Sequence, residues 1–294
     1  MTDTALNNWG RWGSEDQKGA LNLLTPEVLL KAIRLVKKGV VYSLSVPLER
    51  DGPQFPKFHK TWKVMYISSY TDPKLKKTEN KVTADEVLTM EVHSGTHIDG
   101  LGHVWNNGRL YNNISEDQVN MEGLWKVGIE NVRSMVGRGV MLDIPTYRGI
   151  DHMEPGEIVT VEDLDGAATA QGISIEPGDI VMIRTGWYKL FYQDRTLWET
   201  AYPGPDESIA PWLKKKDVCA IGADNPGVEV IRSVANLTHM PLHHHALRDL
   251  GIYLLENLDL EELSRDKVYE FLFVGAPLRL MRATGAPWNP LAIV

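Results

Sequence analysis

Eight apolar, β-branched runs recur along the chain, at 40–46, 63–69, 86–93, 139–144, 179–185, 218–223, 252–256 and 268–274, and each reads as a strand. Helical patterns fit between them. Thr25-Pro26 followed by EVLLKAIRLVKKG carries a capping Thr, a first-turn Pro, an apolar face and a stop at Gly39. Further helices are predicted at 160–171, where Thr160 and Asp163 resemble a capping box, and at 208–215, 241–250 and 260–265. That is more strands than a doubly wound sheet requires, so the chain reads as mixed α/β or α+β. No repeat or long linker divides the 294 residues, and one continuous domain over 1–294 is expected.

Composition removes several classes of function. The net charge of −8 and the scattered basic residues speak against nucleic acid. Cys219 stands alone, so neither an intrachain disulfide nor a cysteine-based zinc site is possible, and its apolar surroundings suggest a buried thiol. The N-terminal residues lack the features of a leader, and no apolar stretch approaches the roughly 20 residues that span a bilayer. A cytoplasmic protein without a membrane partner is expected, which makes the sequons at Asn113 and Asn236 chance matches. G-x-G-x-x-G, the P-loop and G-x-S-x-G are all missing.

Seven of nine histidines fall in two short segments, His93, His97 and His103 in one and His239, His243, His244 and His245 in the other. In the first, a strand-like lead-in runs into His93-Ser-Gly95-Thr96-His97-Ile-Asp99. Imidazoles and a carboxylate on such a turn can converge on one divalent ion. Gly95 permits the tight turn, and Asp99 shares a face with His97 if the turn exits as a strand. The alternative is a set of polar turn residues satisfied by the backbone. In the second segment a His-rich helix start precedes a strand closed by Glu256, a carboxylate costly to bury without a metal or a histidine as partner. Adjacent histidines on a helix diverge, so one or two of the three can serve a single site.

The run His93-Ser-Gly95-Thr96-His97-Ile-Asp99-Gly-Leu101-Gly-His103 resembles the H-x-G-T-H-x-D-x-P-x-H motif of the cyclase family of metal-dependent hydrolases, which includes bacterial kynurenine formamidase and isatin hydrolase. Arg184-Thr-Gly-Trp187, Gly222-Ala-Asp224-Asn-Pro, His244 with twelve residues to Glu256, and Thr284-Gly-Ala-Pro-Trp extend the likeness. Leu101 replaces the motif's Pro, which resembles a longer-chain branch with an N-terminal Trp-Gly segment such as Trp9-Gly-Arg-Trp12-Gly. The resemblance implies that His93, His97 and Asp99 bind Zn²⁺ or Mn²⁺, that His244 and Glu256 complete a second position, giving one or two ions per chain, and that His103 handles the proton. It also implies an α/β domain with a β-barrel-like mixed-sheet core flanked by helices, assembled as a homodimer or homotetramer.

The expected chemistry is hydrolysis of an amide, cyclic imide, lactam or lactone carbonyl in a small, ring-containing substrate. The metal generates hydroxide near neutral pH and polarises the carbonyl, and His103 carries the proton. Trp62, Trp105 and Tyr111 are candidate substrate-pocket residues, with ordinary core packing as the alternative. Residues 1–20 form an N-terminal arm, whose Trp9 and Trp12 could reach a neighbouring subunit. A metal-dependent lyase, dehydratase or cyclase would use the same Lewis acid, and a metal-binding scaffold would use the same ligands without an open position.

Overall fold

The computed structural model describes residues 6–49, 52–53, 63–68, 84–232 and 240–294. Its strands are β1 (Val41–Ser43), β2 (Lys63–Ser68), β3 (Ala84–Thr89), β4 (His97–Asp99), β5 (Val119–Asn120), β6 (Gly123–Leu124), β7 (Met135–Asp143) and β8 (Ile158–Val159). They continue with β9 (Ile180–Arg184), β10 (Gly204–Pro205), β11 (Ala220–Ala223), β12 (Tyr253–Glu256), β13 (Glu270–Gly275), β14 (Gly285–Pro287) and β15 (Leu291–Ile293). Among the described residues nine of these form one mixed, curled sheet, a half-barrel, in the order β1-β15-β13-β7-β9-β11-β12-β4-β14. The fold is therefore α/β, with helices packed on the sheet.

At its centre β7, β9, β11 and β12 run parallel. Parallel pairing needs crossovers that cover the sheet, so these strands are continuous apolar runs: every residue of β9, β11 and β12 is buried, Glu256 included. The helices Val161–Ala170, Ala210–Lys216 and a segment from Pro241 to Leu250 lie in the successive crossovers. Val161–Ala170 starts from the capping box that the sequence shows: the Thr160 hydroxyl accepts from Asp163 N, and the Asp163 carboxylate accepts from Thr160 N. Pro26–Ile33 is likewise capped by Thr25 but stops six residues short of Gly39. One buried cluster extends from Ala20 to Val294, so both ends of the chain pack into the same core.

β12 pairs antiparallel with β4, and β4 with the edge strand β14. The parallel centre thus meets an antiparallel wing at β12 and β4. β4, β14 and β15 are three-residue strands that the periodicity did not single out.

Residues 6–13 do not extend away from the body. Asn8 N donates to Asp249 O at 2.8 Å, Asn8 Nδ2 to Leu250 O at 2.9 Å and Trp9 Nε1 to Arg248 O at 2.8 Å, while Arg11 pairs with Asp217. The side chain of Asn112 ties the same segment down, accepting from Gly10 N and donating to the carbonyls of Gly13, Ser14 and Asp16. These residues therefore form a strap on their own chain. Among the described residues no helix is long and apolar enough to cross a membrane.

Candidate metal centre

The His-containing turn between β3 and β4 is held by residues that follow β1 and β12. Gly95 adopts φ +61°, a left-handed conformation that suits glycine. Thr96 Oγ1 donates to Asn257 O and accepts from Val46 N, and Asn257 Nδ2 donates to Gly95 O at 3.2 Å. The residue after Glu256 thereby locks the turn before His97. Because β4 is extended, His97 and Asp99 point to one face, and register sets Glu256 directly opposite His97.

Each imidazole has a defined orientation. His97 Nδ1 lies 2.9 Å from Gly95 O, which can only accept, so Nδ1 carries the hydrogen. Nε2 then faces Glu256 Oε2 at 3.1 Å and Asp99 Oδ1 at 3.5 Å. His93 Nδ1 lies 2.6 Å from Asp99 Oδ1, and its Nε2 lies 2.8 Å from Thr284 Oγ1. His103 packs on His93 with ring centroids 4.0 Å apart and stands 6.5 Å from the ring of His243. His93 and His103 are the partly exposed members, and the cluster opens to solvent on their side.

The histidine that meets Glu256 is His243, not His244. His243 Nε2 is 3.2 Å from Glu256 Oε1 and 3.9 Å from Asp99 Oδ2, whereas His244 Nδ1 turns to Met240 O at 2.9 Å. His245 pairs with Asp249. The physical reason lies in the backbone: residues His244–Leu250 form a π-helix, whose wider turn takes up an extra residue before β12. The spacing to Glu256 is consequently thirteen rather than twelve.

Of the expected pocket aromatics, Tyr111 is a correction. Its ring is fully buried and its hydroxyl donates to Asp16 Oδ2 at 2.9 Å, which makes it an anchor for the N-terminal segment. Trp105 is exposed two residues beyond His103, and Trp62 lies outside the described residues. An apolar cavity of about 780 Å³ does adjoin β4, lined among others by Val46, Leu48, Thr96, Leu278, Pro287 and Trp288. Pro287 is the register partner of His97.

The donor set fits a divalent cation. His97, Asp99 and Glu256 are all buried and place ligand atoms within 4.8 Å of one another, as do His93, Asp99 and His103. Asp99 Oδ2 is buried without a hydrogen-bond partner among the described residues. An unpaired buried carboxylate oxygen is costly, and a cation between the imidazoles would satisfy it. The electrostatics agree. Burial opposes charge on His97 and His243, yet the carboxylates around them outweigh it and hold both up to about 10. Burial also raises the Asp99 carboxyl, but the neighbouring His103 and His93 more than reverse this and leave it well below the usual range. His103 itself is pushed down to about 4 by burial, which Asp99 offsets only in part.

Two partners of this cluster escaped the sequence reading. Glu229 touches His243, and its sequence signal was a carboxylate set between Val228 and Val230. Thr284 orients His93 from the Thr-Gly-Ala-Pro run, which stood out only as a motif. The following Gly285 is required sterically: a Cβ there would stand 2.6 Å from His93 Cε1 and 2.7 Å from Ile98 O. Gly285→Ala is therefore expected to displace the His93 ring and weaken Zn²⁺ binding about 10- to 100-fold, the size typical of lost ligand orientation. Calorimetric titration of chelator-stripped protein checks it, and unchanged affinity would show that the ring accommodates the methyl.

The chain is similar to known proteins over most of its length. A family model described as "Putative cyclase" matches residues 42–230. The kynurenine formamidase of Geobacillus thermodenitrificans is 30% identical over 200 residues, 68% of this chain and 75% of the relative. The isatin hydrolase of Roseibium aggregatum is 25% identical over 284 residues, 94% of this chain and 98% of the relative. Among solved structures, one described as a novel cyclase matches with a TM-score of 0.90 at 33% identity, over 98% of this chain and 99% of that one. An isatin hydrolase bound to the product analogue thioisatinate shares the fold, with a TM-score of 0.63 at 22% identity over 92% and 99% of the two chains.

Proposed function

From the premise that this chain belongs to the cyclase family, we propose that it is a metal-dependent hydrolase that cleaves the acyl C–N or C–O bond of an amide, cyclic imide, lactam or lactone. The observation that carries the reading is the convergence of His93 and His97 on Asp99 Oδ1 and of His97 and His243 on Glu256, with Asp99 Oδ2 buried and without a hydrogen bond among the described residues. Relatives named formamidase and isatin hydrolase support cleavage of a C–N bond. The relative named isatin hydrolase supports a small, ring-bearing substrate.

His93, His97, Asp99, His243 and Glu256 would hold one or two ions, Zn²⁺ or Mn²⁺ by the mixed imidazole and carboxylate donors. Such an ion would supply Lewis acidity, lowering the pKa of a water toward neutrality and polarising the carbonyl under attack. The chain's own groups do the rest. Asp99 and Glu256 hold the negative charge of the site, the Gly95 carbonyl keeps the His97 hydrogen on Nδ1, and the Thr284 hydroxyl steadies the ring of His93. His103, at the open side, takes the proton of the attacking water on a ring nitrogen and returns it to the leaving nitrogen or oxygen. A cytoplasmic homodimer or homotetramer, which the resemblance implies, belongs to the same proposal.

The test is turnover of N-formylkynurenine, isatin, a cyclic imide and an aryl lactone by metal-stripped protein with Mn²⁺ or Zn²⁺ added back in H₂¹⁸O. Metal-restored turnover with one ¹⁸O in the product is the expected result. A metal-dependent product without ¹⁸O would assign a lyase instead.

A further inference from the structure

We propose that Glu229 is a positioning residue for this centre, fixing the ring of His243 so that Nε2, and not Nδ1, is presented to Asp99 and Glu256. The inference rests on the reading of the cluster as an ion site.

Glu229 is 3% exposed and lies on the loop that follows β11, at the carboxyl end of the parallel sheet. Its two oxygens meet three N–H groups of the segment that carries His243. Oε1 accepts from Leu242 N at 3.0 Å, and Oε2 accepts from His243 N at 3.2 Å and from His243 Nδ1 at 2.9 Å. One carboxylate thus holds both the backbone of His243 and its ring. With a hydrogen on Nδ1, Nε2 is turned to the two carboxylates across the site, where a bound cation can take the place of a second ring proton. The arrangement is the carboxylate–histidine pairing that sets tautomer and ring direction at metal centres.

The loop is built to put Glu229 there. Asp224 accepts from Thr185 N, Thr185 Oγ1 and Gly186 N, pinning the loop to the end of β9. Asn225 Nδ2 donates to Pro203 O and Val228 O, and its Oδ1 accepts from Gly227 N. Val228, immediately before Glu229, is held at φ +55°, a region that β-branched residues rarely adopt. Those contacts fix the loop from which the Glu229 carboxylate reaches His243.

The experiment uses the full chain, stripped of metal, with Zn²⁺ as the probe. Glu229→Gln keeps the size of the side chain but replaces one acceptor oxygen by an N–H₂ donor, so it cannot accept all three hydrogens. Calorimetry is expected to show Zn²⁺ affinity about 10- to 100-fold below wild type, with the urea midpoint of the stripped protein unmoved. Ring ¹⁵N NMR of the Zn²⁺-loaded wild type is expected to show His243 protonated at Nδ1, and this readout stands even if the variant does not fold. Wild-type affinity in folded Glu229→Gln would overturn the proposal, as would a bare Nδ1 in the wild type. A loss of affinity matched by a fall in the urea midpoint would make Glu229 a structural residue and overturn it as well. Absence of Zn²⁺ binding by the wild type would bring down the proposed function and this inference together, whereas the other adverse outcomes leave the proposed function standing.

Discussion

Replacing His103 with alanine is expected to leave metal affinity near wild type and to lower turnover about 10²- to 10⁴-fold, the usual contribution of a positioned acid–base group. In barrier height that is roughly 3–5 kcal/mol. The expectation follows from position. His103 lies beyond the Asp99 strand, is partly exposed and packs on the ring of His93, at the open edge of the group it forms with His93 and Asp99. His97→Ala is the contrasting variant. His97 is 1% exposed, sits between Asp99 and Glu256, and has its ring hydrogen committed to Gly95 O, so its loss should abolish metal retention itself. The measurements are kcat on a panel substrate that the wild type turns over and Zn²⁺ titration of both variants. Full activity in His103→Ala would remove it from the chemistry, and loss of metal in that variant would make it a ligand through the group it forms with His93 and Asp99.

The second large effect concerns stability. Arg184 closes β9, is 6% exposed, and forks between two carboxylates: Nη1 donates to Asp143 Oδ1 at 3.0 Å, and Nε and Nη2 donate to the two oxygens of Glu261 at 2.9 Å each. Asp143 is the register partner of Arg184 on β7 and also caps the helix Ile144–Arg148, accepting from Thr146 N. One guanidinium thus ties the centre of the sheet to a helix start and to the helix Glu261–Arg265. Arg184→Met keeps the apolar stem and removes the charge. Glu261 can turn to water, since its side chain is 29% exposed, but Asp143 at 1% cannot. Breaking a buried pair from one side costs about 3–5 kcal/mol, a large part of the 5–15 kcal/mol typical of a whole domain. Urea unfolding should show a lower midpoint with an unchanged slope. A loss below about 1 kcal/mol, the ordinary worth of an exposed pair, would mean that water reaches Asp143.

Much of this architecture is legible along the chain because its signals are local. β9, β11 and β12 are apolar runs of four or five residues that must be buried on both faces, and they fall within the predicted segments. Thr160 and Asp163 cap a helix through atoms three residues apart. The turn from His93 to Asp99 needs only Gly95 at a positive φ and a following strand to align His97 with Asp99, and both conditions are met. Family resemblance on those same residues carried the expectation of a metal-dependent site.

What periodicity could not supply is anything shorter than its own repeat or longer than its reach. β4 and β14 have three residues each, too few for an alternation to show, yet they place the ligands. The choice among His243, His244 and His245 depends on where a π-helix puts each ring, and that follows from how the 241–250 segment packs against Glu229 and β12. Tyr111 reads as a pocket aromatic until Asp16, ninety-five residues earlier, takes its hydroxyl. By itself the sequence determined the strands of the parallel centre, the capped helices and the chemical nature of the ligand-bearing turn, since each rests on neighbouring residues. Only the tertiary structure decided which histidine completes the cluster, that Glu229 stands behind it and that the N-terminal segment clasps its own chain, because these contacts join side chains from distant parts of the chain in directions set by packing.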